Sequence, residues 1–175
     1  MQRAAALVVL GLWLGMLFAS WVIAAVNFRT VDRVLGPGQA PELATRMAPL
    51  GADDRRVVLR HLASEINRWM FRRWSLAQLV LGLAALALCW RSGGATRLLA
   101  AAAVLLVLAQ LLAVGPIVTL GRAIDFVPRP LPPDVARRFG LLHAAYVGSD
   151  LLKGVLLAAA AWMLAVRQAG GPGEG

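Results

Sequence analysis

Cysteine and histidine are scarce in this chain of 175 residues, and each shortage excludes a class of chemistry. The single cysteine, Cys89, cannot form an intramolecular disulfide. No cysteine–histidine cluster has the spacing of a zinc site. His61 lies in a connection and His143 at the end of an apolar block, so they make a poor pair of haem ligands. We therefore predict no metal and no cofactor.

Recognisable catalytic motifs are also missing. The chain contains no glycine-rich phosphate loop of the nucleotide-binding types. Ser149 lacks the flanking pattern of a nucleophile elbow, and six residues from His143 it is poorly placed to be activated. The sequence therefore predicts a protein that is not an enzyme.

What the chain has in excess is apolar sequence and arginine. Hydrophobic residues make up 59% and charged residues only 15%, against about 45–50% and about 25% in soluble domains. A net charge of +9 would suggest nucleic acid in a soluble protein. Here the arginines stand mostly in connections beside apolar blocks, where basic residues meet anionic headgroups. We expect the lipid bilayer, and no nucleic acid, as a partner.

Four apolar blocks are long enough to cross a bilayer, which takes about 20 residues. The first is interrupted by two tryptophans and exceeds the usual core of a signal peptide, so we interpret it as a retained helix. The sequence predicts an all-α integral membrane four-helix bundle forming one domain over residues 1–175. The predicted spans are about 4–26, 74–90, 98–120 and 140–166, with a flexible tail at 167–175.

An amphipathic helix is predicted at about 53–73, between spans one and two. Asp53 or Asp54 can cap it, and six apolar residues follow at helical spacing among arginines: Val57, Val58, Leu62, Ile66, Trp69 and Met70. Such a helix typically lies flat at the headgroup boundary. The alternative is that it packs over the end of the bundle.

The arginines predict an orientation. Four spans place the termini and the turn at Arg91–Arg97 on one side, with four arginines, and both long connections on the other, with thirteen. The positive-inside tendency puts the long connections in the cytoplasm and the termini outside, in what we expect to be a bacterial inner (plasma) membrane.

Small residues recur every four positions in the first span, at Gly11, Gly15 and Ala19. That spacing allows a second helix to approach closely, although chance in a glycine- and alanine-rich chain explains it nearly as well. With the small size of the chain, it suggests a homo-oligomer or an accessory subunit of another membrane protein.

The fourth span carries the most suggestive polar residues. His143, Tyr146 and Asp150 fall within a sector of about 60° on a helical wheel, and Lys153 lies on the same side. Asp150 and Lys153 are three residues apart and can form an ion pair. Charges inside a membrane usually face the bundle interior and have partners. A structural ion pair and a ligand, metal or proton site are both compatible with this pattern.

The predicted topology brings further polar residues to the same membrane face. We expect a polar cleft at the cytoplasmic end of the bundle, formed by His143, Tyr146, Asp150, Lys153, Arg122, Asp125, Asn27 and Arg29. Such a cleft would suit a transporter or a binder of a small molecule or ion. The first candidate function is an oligomeric or accessory membrane component, and the second is this binder. A membrane enzyme or redox subunit is a third, less favoured class.

Two segments resemble a known family. WLGMLFASWVIAAVNFR near the N-terminus and FGLLHAAYVGSDLLKGVLLAAAAWML near the C-terminus are similar to the four-helix membrane family typified by transmembrane protein 205. In that family the first helix ends in a Phe-Arg type segment and the last begins with a Phe-x-x-Leu-His type segment, which Phe28-Arg29 and Phe139–His143 match. The resemblance implies a role in transport, membrane homeostasis or metal-related stress, since eukaryotic members are linked to platinum-drug resistance.

Overall fold

The computed structural model describes residues 1–37, 40–127 and 130–169, and this part of the chain is helical throughout, with no strand. It contains four long helices, α1 (Gln2–Val34), α3 (Ala52–Cys89), α4 (Gly94–Ile124) and α5 (Pro133–Ala169), and one short helix, α2 (Pro41–Met47). All four long helices are long and apolar enough to cross a membrane. The predicted tail begins inside α5, and its residues 170–175 lie outside the described part.

The long helices form a four-helix bundle with up-and-down connectivity. Helix α1 packs against α3 and α5, and α4 packs against α3 and α5, so the four helices close into a ring. A four-residue turn, residues 90–93, joins α3 to α4, and Gly93 in it has a φ of 110°, a conformation that suits glycine. The turn and the N-terminus meet where Gln2 donates to the backbone carbonyl of Leu88. The two long connections therefore lie at the opposite end.

The separate interfacial helix expected at 53–73 does not exist in the structure. Residues 52–89 form one continuous helix, so the expected amphipathic segment is the N-terminal half of α3 and cannot lie flat while the other half crosses a bilayer. No proline or glycine lies between Arg72 and Trp74, so nothing in the backbone stops the helix there. Long arginine side chains can also keep their charges in water while the helix continues. The arginines at 72 and 73 therefore do not mark the end of a helix.

The apolar residues of this N-terminal half mostly face outward. Val58, Leu62, Ile66 and Trp69 are exposed, whereas Met70 is buried. Their row continues along α3 into the exposed apolar side chains Leu76, Val80 and Leu83. We call these seven residues the outer stripe of α3.

The interior of the bundle is packed differently at its two ends. Near the α3–α4 turn, small side chains let the helices approach closely around Trp13. The buried core there consists of Ala6, Leu10, Trp13, Ala85, Cys89, Ala100, Ala103, Val104, Val107, Leu157, Ala160 and Leu164. Toward the long connections, no α5 residue between Pro133 and Ser149 is buried, although α3 and α4 remain in contact through ion pairs. The end of the bundle near the α3–α4 turn is therefore tightly packed. We call the opposite end, toward the long connections, the open end.

The glycines of α1 lie on the outside of the bundle. A Cβ atom added at Gly11 or Gly15 would meet no other heavy atom within 4 Å. The close approach inside the bundle occurs instead at Gly82 of α3, where a Cβ would lie 2.8 Å from the Trp13 ring. The predicted packing face of Gly11, Gly15 and Ala19 therefore makes no intramolecular contact at its two glycines.

Candidate functional site: a polar network beneath a cavity

Lys153 is the centre of a buried polar network that draws on all four long helices. Its side chain is 0% exposed, and its ammonium group lies 2.7 Å from Asp150 Oδ1, 2.6 Å from Gln78 Oε1 and 2.5 Å from Gln110 Oε1. An ammonium group has three N–H donors, so each donor has an acceptor. Trp13 of α1 donates to the same Gln78 oxygen at 3.2 Å. Lys153 thus has no donor left for a ligand.

Asp150 lies one turn away and connects this network to a cavity. Gln110 Nε2 donates to Asp150 Oδ1 at 2.8 Å, on the same oxygen that Lys153 contacts. Among the residues that the structure describes, the other oxygen, Oδ2, receives only the indole N–H of Trp21, at 3.4 Å, which is longer than an ordinary hydrogen bond. The two oxygens of this buried carboxylate therefore differ, since Oδ1 has two donors within 2.8 Å and Oδ2 has one distant donor.

The cavity occupies the open half of the bundle and has a volume of about 390 Å³. Asp150 lines it, and aromatic side chains supply much of its wall. Two of the aromatic contacts are a T-shaped Phe71–Tyr146 pair and a stacked Phe139–His143 pair. The lining residues that matter below are Trp21, Ala24, Phe71, His143, Tyr146 and Asp150. Its size falls in the range of small-molecule pockets, about 300–1,000 Å³, which are likewise mostly apolar with a few placed polar groups.

The structure brings together only part of the predicted cleft. His143, Tyr146 and Asp150 do line one cavity, and Lys153 lies beneath it in contact with Asp150. Asn27 donates to Asn67 at 2.5 Å, and Asn67 also lines the cavity. The four α5 residues share one region, as their common helical face predicts.

The other predicted cleft residues lie elsewhere. Arg29 is exposed on α1 and does not line the cavity. Arg122 and Asp125 belong to a second charged cluster between α3 and α4, formed with His61, Glu65 and Arg68. Asp150 pairs with Lys153, as their spacing predicts, whereas Arg122 pairs with Glu65.

The second cluster is built from paired charges. Arg68 makes two hydrogen bonds of 2.8 Å to Asp125, and Arg122 makes two of 2.9 Å to Glu65. His61 Nδ1 lies 2.7 Å from Asp125 Oδ2. His61, Glu65 and Asp125 lie close enough to hold a metal ion, but a metal would compete with two guanidinium groups for the same oxygen atoms. The geometry therefore supports an ion-pair cluster.

These pairs shift the carboxyl groups toward their charged forms. Hydrogen bonds from Arg122 and Arg68 lower the pKa of Glu65 from 4.5 to about 2. Burial alone would raise the pKa of Asp125, but the hydrogen bonds from Arg68 and His61 outweigh burial and lower it. Both carboxylates therefore stay ionised well into the acidic range.

We expect Glu65→Gln to remove a pH-dependent part of the stability. Because the folded protein holds the pKa of Glu65 below its ordinary value, the stabilisation is complete above pH 4.5 and disappears as the pH falls to about 2. Thermal unfolding of the detergent-solubilised protein and its variant should differ above pH 4.5 and converge below it. In an Arg122→Gln background the difference should shrink, and a difference that is the same at every pH would contradict this account.

Sequence reasoning also brings Gln78, the polar residue near the start of the second span, to the predicted cleft, and the structure places it beside Lys153. It did not assign a partner to Gln110, although a polar interruption of an apolar span was a usable signal, and the contribution of Trp13 and Trp21 carries no polar signature. The Glu65–Arg68 spacing of three residues also indicates a helical ion pair.

No family model matches this chain, and no curated protein or solved structure matches it. The resemblance to the transmembrane protein 205 family therefore stays a hypothesis. The functional argument depends on the cavity and the network alone.

Proposed function

We propose that this chain is an integral membrane protein that binds a small amphipathic molecule in the cavity at the open end of its bundle. Four helices long and apolar enough to cross a membrane support the placement in lipid. The observation that supports binding most strongly is the cavity of about 390 Å³ with its aromatic wall and one buried carboxylate. A cavity of this kind among membrane helices is accessible to molecules that partition into lipid.

We also propose that the open end faces the cytoplasm. Thirteen of the eighteen basic residues belong to the segments at this end in the predicted topology, and positive residues favour the cytoplasmic side. A bacterial inner membrane and non-enzymatic binding remain part of the proposal. The polar network supports binding without chemistry, because Lys153 is fully occupied by protein acceptors.

Filling the cavity should abolish binding of an apolar fluorescent probe. Ala24 lines the cavity, whereas its neighbour Ala25 is exposed and does not line it. We expect Ala24→Trp to weaken the affinity for 1-N-phenylnaphthylamine by at least about tenfold, or about 1.4 kcal/mol, because the new ring occupies the probe's space. The measurement is a fluorescence titration of the protein in lipid nanodiscs.

Ala25→Trp is the matched control, since it adds the same side chain one residue away on the outer surface. Its affinity should stay within about twofold of the unmodified protein. Both variants must elute as the unmodified protein does in size-exclusion chromatography. Equal probe binding by all three proteins would show that the signal comes from lipid, and the proposed cavity function would fail.

The alternative function, an oligomeric or accessory membrane component, ranks second. The open space around Gly11 and Gly15 supports it, since a helix from another molecule would find no side chain in its way. The cavity is the more specific feature because it combines aromatic walls with an incompletely bonded acceptor.

A further inference from the structure

The charged groups that line the cavity already have counter-charges. Asp150 pairs with Lys153 at 2.7 Å. Arg68, at the other end, makes ion pairs with Asp125 and Glu65 at 2.8 and 2.7 Å. A charged headgroup entering this space would lose its hydration without gaining an unpaired counter-ion, which is strongly unfavourable. The cavity therefore selects against both anions and cations.

One strong acceptor in the cavity remains incompletely bonded. Asp150 is 3% exposed, and its Oδ2 has only the Trp21 N–H at 3.4 Å among the described residues. A carboxylate oxygen can accept two hydrogen bonds, and ordinary N–H···O distances are about 2.7–3.2 Å. None of the neighbouring side chains donates to Oδ2: the Tyr146 hydroxyl contacts Ser75, Gln110 donates to Oδ1, and Ser149 donates to the backbone. A ligand that donates one hydrogen bond would complete the carboxylate.

The wall next to this acceptor favours rings. Trp21 lies against Asp150, while Phe71 and Tyr146 pack edge to face with ring centroids 5.9 Å apart. Aromatic side chains prefer edge-to-face or offset contacts with further rings. We propose, building on the cavity function above, that the ligand is a neutral, ring-bearing amphiphile whose hydroxyl group donates to Asp150 Oδ2. Phenolic and alicyclic hydroxyl lipids both have this chemistry.

Four alkyl-substituted rings of matched length test the proposal through displacement of 1-N-phenylnaphthylamine from the unmodified protein in nanodiscs. They are 4-octylphenol, 4-octylanisole, 4-octylbenzoate and 4-octylbenzylammonium. The phenol should compete roughly tenfold to 100-fold better than the anisole, because a hydrogen bond to a charged acceptor is lost in the ether. It should also compete at least about tenfold better than either ion.

A variant that preserves the Lys153 pair sharpens the test. Trp21→Phe removes the weak N–H donor while keeping an aromatic ring, so Asp150 Oδ2 becomes fully available. We expect 4-octylphenol to be preferred over 4-octylanisole more strongly in this variant. The measured quantity is the ratio of their competition strengths, in which a change in cavity size that affects both ligands equally cancels. Equal competition by phenol and anisole, or stronger competition by either ion, would overturn the hydroxyl assignment. If Ala24→Trp still weakens probe binding in that case, the proposed cavity function is retained and only the hydroxyl assignment is rejected.

Discussion

Replacing Lys153 with methionine should lower the free energy of unfolding by about 3–5 kcal/mol, the usual penalty for removing one member of a buried ion pair. Lys153 is 0% exposed, and the change leaves the Asp150 carboxylate without its counter-charge and the Gln110 carbonyl oxygen without the lysine donor. The measurement is reversible unfolding in mixed detergent micelles, followed by circular dichroism.

The double variant Lys153→Met/Asp150→Asn separates the ion pair from the packing of the lysine stem. Removing both charges leaves no uncompensated ion, so the double variant should lose less stability than Lys153→Met alone. Additive losses would mean that Asp150 and Lys153 act independently. A fully stable Lys153→Met protein would contradict the view that this network organises the bundle.

Gly82→Ala should destabilise the protein by about 1–3 kcal/mol, the range for overpacking a well-filled core. The new methyl group would lie 2.8 Å from the Trp13 ring and 3.0 Å from Val104, and Trp13 is held by its hydrogen bond to Gln78. The Trp13 ring must therefore move, which also disturbs the acceptor of Lys153.

Gly15→Ala is the matched control for this prediction. It lies in open space, so the substitution should have no packing penalty, while alanine favours a helix over glycine by about 1 kcal/mol. The two substitutions are chemically identical and should have opposite signs in the same unfolding assay. Loss of stability at Gly15 and not at Gly82 would indicate that the bundle packs through the other face of α1.

The predictable part of the fold follows from its apolar blocks. A long uncharged run such as residues 4–26 satisfies the length that a span requires, and the structure has four helices of that kind. The boundary inside α3 was wrong because arginines at 72 and 73 resemble the end of a span, although nothing in the backbone chemistry stops the helix there. Charged residues indicate where a helix is in contact with water. Where the helix ends depends on glycine, proline and capping residues.

The predictable part of the site is local. The spacing of Asp150 and Lys153 on one helix is enough to predict their contact, which the structure contains. The distance between Asp150 and Arg122 depends on the axial register of α4 relative to α5. The hydrogen bond from Gln110 to Asp150 places these two residues at the same level. Arg122 is twelve residues further along α4, about 18 Å away along the axis. A sequence alone contains no measure of that register.

The outer stripe of α3 has a consequence for the surrounding bilayer. Its part from Val58 to Trp69 runs beside the exposed Glu65–Arg122 ion pair, so we expect this part to lie at the headgroup level, where tryptophan and arginine are both common. Only its part from Leu76 to Leu83 is then expected to contact hydrocarbon. The Trp69 ring, with the Arg73 guanidinium over it, is expected to hold α3 at a fixed depth in the bilayer.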